Sequence, residues 1–181
     1  MNWLQLAQEV IGGKVLNNEE ALAILNSEDD ELLKLMDGAF AIRKHYYGKK
    51  VKLNMIMNAK SGYCPEDCGY CSQSSKSTAP IEKYPFITKD EILEGAKRAF
   101  ENRIGTYCIV ASGRGPTRKD VNTVSEAVTE IKDKYGLKVC ACLGILKEEQ
   151  AQQLKEAGVD RYNHNLNTSE RHHSYITTSH T

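Results

Sequence analysis

The sequence lacks an imbalance of charge: 24 Lys and Arg face 24 Asp and Glu in 181 residues. That removes the broad basic footprint of a dedicated nucleic-acid binder. It also lacks any apolar run approaching the roughly eighteen residues of a membrane-spanning helix. Its start, MNWLQLAQEVIGG, has no basic leading segment and places Gln and Glu where a secretory signal needs an apolar stretch. The expected location is cytoplasmic, with neither nucleic acid nor membrane as partner. Six cysteines in a reducing compartment then read as ligands, catalytic groups or core residues rather than disulfides. Low-complexity segments and clear linkers are missing too. What is present is an apolar share of 40%, enough to bury the core of about one domain.

Residues 1–50 read as a helical lead-in. Asn17 with Glu20 is a capping-box pattern, and Ser27 before Glu28, Asp29 and Asp30 reads as a second N-cap. From Ser27 an apolar face of Leu32, Leu35, Met36, Ala39 and Phe40 runs to Gly48. Residues 51–181 alternate in type. Strands are expected at 51–57, 106–111, 138–143 and 159–166. Helices are expected after Thr88, after Thr117 and over 147–157. Val121, Val124, Val128, Ile131 and Tyr135 recur at helical spacing, with Gly136 as the stop. Four strands alternating with helices argue for parallel βαβ units, whose sites gather at the carboxyl ends of the strands. A whole (β/α)8 barrel needs roughly 200 residues or more. The expected fold is α/β: N-terminal helices followed by about half of a TIM-type barrel, in a truncated chain.

The strongest chemical signal is YCPEDCGYC. Cys64, Cys68 and Cys71 are spaced C-x3-C-x2-C inside a long irregular stretch, 58–87. A loop of that length in a compact fold usually has a function. Three close thiolates can wrap one soft metal centre, and iron–sulfur clusters take cysteinate ligands. Three ligands on a four-iron cube leave one iron open to a small molecule. Zinc with a fourth ligand from elsewhere is the second reading. A Cys68–Cys71 redox pair would leave Cys64 idle.

Two further patterns stand out. Cys108 lies mid-strand, while Cys140 and Cys142 lie two apart and so face one side. By residue type alone such cysteines are small core hydrophobes. In VDRYNHNLNTS, Asn163, Asn165 and Asn167 fall at i, i+2 and i+4, with Tyr162, His164 and Leu166 on the other face. Either this is an exposed polar edge, or it is an uncharged donor–acceptor ladder that reads a neutral polar ligand. His164, pointing away from the asparagine face, reads as a helix-packing or hydrogen-bonded histidine rather than a ligand.

Cys64, Cys68, Tyr70 and Cys71 together resemble the C-x3-C-x-aromatic-C signature of the radical S-adenosylmethionine enzymes. The wider strings SGYCPEDCGYCSQS, CACLG, GVDRYNHNLNTS and ITTSHT resemble the biotin synthase family within it, over nearly the whole chain. The resemblance implies a [4Fe–4S] cluster on Cys64, Cys68 and Cys71, with S-adenosylmethionine chelated at the open iron. One-electron reduction would release a 5′-deoxyadenosyl radical, which abstracts hydrogen from dethiobiotin before sulfur insertion gives biotin. Such C–H bonds lie beyond side-chain acids and bases, so none is assigned. The resemblance also implies a sulfur-donating [2Fe–2S] cluster, with Cys108 and Cys140 at two ligand positions and Cys142 as lining. The family takes its other Cys and Arg ligands from later strands, and no cysteine follows Cys142. Asn163 and Asn165 match positions near the ureido ring, and Asn165 and Asn167 positions near the cofactor ribose. Tyr70 would lie against the adenine or simply pack. Further implied partners are an electron-donating flavodoxin- or ferredoxin-type protein and, at full length, a second copy.

Weaker features complete the reading. Ser112-Gly113-Arg114-Gly115-Pro116 is either an approach to the cofactor's methionine end or a plain turn. His172, His173 and His180 read as a solvated polar tail, and Lys49 and Lys50 as surface charge. A half-barrel leaves parallel edges unpaired, which predicts low solubility or self-association unless a partner supplies the missing half. Lacking half of the substrate wall and two ligands of the sulfur-donor cluster, the chain alone is expected to show negligible turnover. Two rival classes are an iron–sulfur electron carrier or redox sensor and a zinc-bound structural module.

Overall fold

The computed structural model describes residues 2–180. They form two compact units, divided after Val51.

The first unit is helical: α1 (Trp3–Ile11), α2 (Asn18–Leu25), a 3-10 turn (Asp29–Glu31) and α3 (Leu32–Tyr47). Asn2 caps α1 through the Gln5 amide. The Asn17–Glu20 capping box forms in full, both partners satisfying otherwise orphaned amides. Trp3, Leu6 and Ala7 are buried where α1 meets α3. Gly38 makes that approach possible, because a Cβ there would stand 2.8 Å from the Trp3 carbonyl. The indole of Trp3 donates to Glu31 at 2.8 Å.

Two expectations fail in this unit. Ser27 caps nothing: the 3-10 turn intervenes, and α3 starts after Glu31 without a side-chain cap. The expected face of α3 is also not its buried one, since Leu32, Met36 and Phe40 are about half exposed. Helix α3 packs instead through Gly38 on its α1 side, where closeness of backbones outweighs apolar bulk.

The second unit alternates strand and helix: β1 (Asn54–Lys60), α4 (Lys89–Glu101), β2 (Thr106–Ala111), α5 (Arg118–Tyr135), β3 (Lys138–Cys142), α6 (Glu148–Glu156), β4 (Arg161–Tyr162) and α7 (Glu170–Ile176). The sheet runs β1-β2-β3-β4, all parallel. Capping boxes start α4 at Thr88 and α5 at Thr117, and Gly136 ends α5 in the left-handed conformation. Ile92, Ala96, Val121, Val124, Val128, Ile131 and Leu154 bury themselves against Tyr107, Ile109, Val139 and Ala141. Strand alternation therefore turns Ile56, Asn58, Cys108, Val110, Cys140 and Cys142 to the side without helices. Helices on one face of a parallel sheet, joined by βα units, make this about half of a TIM-type barrel. Among the described residues no helix is long and apolar enough to cross a membrane.

Strand β1 begins three residues later than its apolar run suggests. The pairing partner decides: Asn54 aligns with Thr106, and the ladder continues to Lys60 opposite Ala111. Ala59 is fully buried there. Strand β4 is far shorter than expected. Its partner β3 ends at Cys142, and Gly144 (φ +92°) turns that chain away. One backbone bond, from the Asn163 amide to the Ala141 carbonyl at 2.8 Å, extends the pairing before the ladder stops.

The core also carries one buried polar anchor. Tyr107 is fully buried, and its hydroxyl donates to the Ile92 carbonyl at 3.0 Å. Burial pushes that phenol far above its usual range. Tyr107→Phe is expected to cost about 1 kcal/mol, the net worth of one neutral hydrogen bond. A urea titration followed by circular dichroism measures it, and no loss would show the hydroxyl to be energetically idle.

Candidate iron–sulfur and cofactor site

The chain leaves β1 through Ser61, then turns sharply at Gly62 and Tyr63, both with positive φ. A non-glycine residue in that region is uncommon and marks a constrained turn. The Gln73 side chain secures it by accepting from the Gly62 amide and from Ser61, while Ser112 donates to the Gly62 carbonyl at 2.6 Å. Beyond it, the Cys71 amide donates to the Cys68 carbonyl at 3.2 Å and the Ser74 amide to the Cys71 carbonyl at 3.1 Å. These successive turns fold Cys68 and Cys71 back on each other. Cys64 pairs with Ser74 in an isolated bridge.

All three cysteines are free thiols and line one cavity of about 450 Å³. Asn58 on β1 and Val110 at the end of β2 contribute to its wall. The turn after β2 adds Ser112, Gly113 and Arg114; that after β3 adds Gly144 and Ile145. The cavity thus lies at the carboxyl ends of the strands. Burial pushes the Cys64 thiol up; a hydrogen bond from the Glu66 backbone opposes this, while the Glu66 carboxylate and the Cys68 and Cys71 thiols add to the rise. Burial, then the same two thiols, also raises the Tyr70 phenol. A cation shared by three such thiols would displace their protons. By residue type the three thiols suit a soft metal centre, although among the described residues no three His, Cys, Asp or Glu side chains are gathered closely enough to hold a metal ion.

The segment after α7 closes over this bend, correcting the expectation of a solvated tail. Asp67 accepts from the Thr177 hydroxyl at 2.7 Å, the Thr178 amide at 2.9 Å and the Ser179 amide at 3.1 Å. The Thr178 hydroxyl donates to its other oxygen. These donors, the Thr178 hydroxyl foremost, hold the Asp67 carboxyl far below its usual range. Glu66 is buried. Burial alone would raise its carboxyl, but Ser179, His180 and Arg114 outweigh that and lower it. His180 pairs with Glu66 and lines the cavity; His172 and His173 lie on α7. None of this is legible from residue types, since a Glu-Asp pair in a polar loop reads as solvated.

One layer deeper in the sheet, Cys108 is in register with Cys140, and Cys140 with Arg161. Burial, then the Cys108 thiol, pushes the Cys140 thiol up to about 11, with Arg161 opposing. Cys142 lies one row nearer the cavity and lines it. The asparagines do not share one face. Asn165 and Asn167 line the cavity while Asn163 does not, and Asn167 has φ +65°. His164 lines the cavity beside them, against the expectation of a packing role. With β4 ended at Tyr162, the two-residue alternation no longer governs these side chains.

Residues 59–181, the cysteine bend and all four of its flanking strand ends included, match the family model of the Radical SAM superfamily. The chain belongs to the radical SAM superfamily. It is 91% identical over its full length to the biotin synthase of Lysinibacillus sphaericus, covering 54% of that relative. It is 67% identical over 99% of its length to the biotin synthase of Bacillus subtilis strain 168, covering 53% of it. The chain thus spans about half the length of the curated relatives it matches. Among solved structures, methylornithine synthase superposes with a TM-score of 0.73 at 24% identity, over 87% of this chain and 46% of that one. That likeness supports the half-barrel fold.

Proposed function

We propose that this chain forms the cluster-binding and cofactor-binding part of a biotin synthase, an enzyme that converts dethiobiotin to biotin. The observation that carries it is the C-x3-C-x2-C bend with its three free thiols on one cavity, in a chain 91% identical to a biotin synthase. Cys64, Cys68 and Cys71 would hold a [4Fe–4S] cluster. When bound, that cluster supplies the one-electron reduction of S-adenosylmethionine that starts radical chemistry. The remaining work falls to binding and orientation, with no side-chain acid or base required.

In this reading Tyr70 lies against the adenine, and Asn165 and Asn167 bond the ribose hydroxyls from the facing wall. Amides suit these neutral groups, since each can donate and accept. Asn165 reads the dethiobiotin ureido ring from the cavity wall; Asn163, expected to share that role, lies outside the lining and would have to turn inward to do so. Cys108 and Cys140 are two ligands of a deeper [2Fe–2S] cluster, which their register across β2 and β3 supports. A flavodoxin- or ferredoxin-type protein delivers the electrons, and the whole enzyme works as a homodimer in the cytoplasm.

The test is equilibrium binding of S-adenosylmethionine to the anaerobically loaded chain. The expected result is iron and sulfide on the protein and a changed EPR spectrum of the reduced cluster on adding S-adenosylmethionine. An electron carrier would hold the iron and leave the spectrum unchanged. A zinc module would carry zinc without sulfide. Either outcome overturns the reading.

A further inference from the structure

We propose that Asp67 is a positioning residue that latches the cysteine bend to the segment after α7, and so sets the shape in which the three thiols receive their cluster. The proposal rests on the reading of Cys64, Cys68 and Cys71 as cluster ligands.

Asp67 stands immediately before Cys68, between two of the three thiols. Its carboxylate gathers four donors from three consecutive residues, Thr177, Thr178 and Ser179, more than a hundred positions away in the chain. A carboxylate is the one short side chain that accepts on both oxygens at once and donates nothing. Three flanking contacts fix the same two segments together. The Gly69 amide donates to the Ile176 carbonyl at 2.8 Å, and the Asp67 amide to the Ser179 hydroxyl at 3.1 Å. The Cys68 thiol lies 3.8 Å from the Thr177 hydroxyl. Thr177 is itself buried, so the latch is partly shielded from water.

A loop rich in Ser and Gly samples many shapes, and each must be given up when three thiols converge on one centre. A latch that spends this entropy during folding leaves less to lose on cluster binding. Asp67 need not touch the cluster to do so. Outer-shell partners of metal ligands commonly change affinity tenfold to a hundredfold.

Three variants of the chain test this: Asp67→Ala, the double variant Thr177→Val/Thr178→Val, and the triple combination. After anaerobic loading, Asp67→Ala and the double variant are each expected to release iron to a chelator roughly tenfold faster than the parent. The triple variant should add little to either, because both halves break one device. Asp67→Asn, which keeps one acceptor oxygen, should recover part of the loss. A purely structural role would not shift the EPR g values of the reduced cluster, whereas a misplaced Cys68 does. Hydrogen exchange at the Gly69 amide should accelerate in the same variants even without metal. Parent-like release rates and g values in Asp67→Ala and in the double variant overturn the latch alone. A parent chain that takes up no iron overturns the cluster reading and this proposal with it.

Discussion

Replacing Cys64, Cys68 or Cys71 singly by Ala is expected to reduce the iron retained by the anaerobically loaded chain by more than tenfold. The parent should hold about four iron and four sulfide at this site. In the proposed arrangement each thiol would supply one of three protein bonds to the centre, and two thiolates do not fix a cube. The loss should therefore exceed the tenfold to hundredfold typical of outer-shell partners. The substitutions themselves disturb little, since all three side chains are only partly buried. Cys142→Ala is the matched control. It lines the same cavity but belongs to β3 rather than the bend, and its loss should leave the four-iron signal in place. Iron and sulfide analysis with visible absorbance reads all four variants. Retention of the cluster in any one of the three bend variants would remove that cysteine from the ligand set.

The cluster bend is legible in the amino-acid sequence because its signal is local and chemical. The same holds for the capping boxes at Asn17, Thr88 and Thr117, where donor and acceptor lie three residues apart. The bounds of β2 and the left-handed stop at Gly136 are legible for the same reason. What escapes depends on distant partners. The length of β4 is set by where β3 turns, so the asparagine run looks like a strand long after its ladder has ended. The start of β1 is set by register with Thr106. The latch joins Asp67 to residues beyond 176, and nothing in Thr-Thr-Ser-His announces a carboxylate partner. The expected α3 face fails because a glycine contact, not apolar bulk, selects its packing side.

Gly144→Ala is expected to destabilise the second unit by roughly 2–4 kcal/mol, the range of a substitution that adds backbone strain to a steric conflict. Gly144 has φ +92°, a conformation L side chains rarely adopt. A Cβ there would collide with the Arg114 carbonyl and stand 2.9 Å from the Gly113 carbonyl, both backbone atoms that cannot swing aside. Gly136→Ala separates the two contributions. Gly136 also has positive φ (+60°) but open space around it, so its substitution should cost only the backbone part, about 1 kcal/mol. The excess in Gly144→Ala then measures how tightly the turns after β2 and β3 press together. Those turns carry Ser112, Gly113, Arg114 and Ile145 of the cavity wall, joined where the Ile145 amide donates to the Arg114 carbonyl at 2.7 Å. The Tyr162 hydroxyl, which donates to the Gly144 carbonyl and accepts from the Leu143 amide, ties β4 to the same point. Displacing Gly144 therefore moves three strand ends at once, and the iron-loaded variant should bind S-adenosylmethionine more weakly even where it remains folded. Urea midpoints of the two variants decide the matter: equal losses would mean that the turns have room to part, and that the wall they form is not held by this contact.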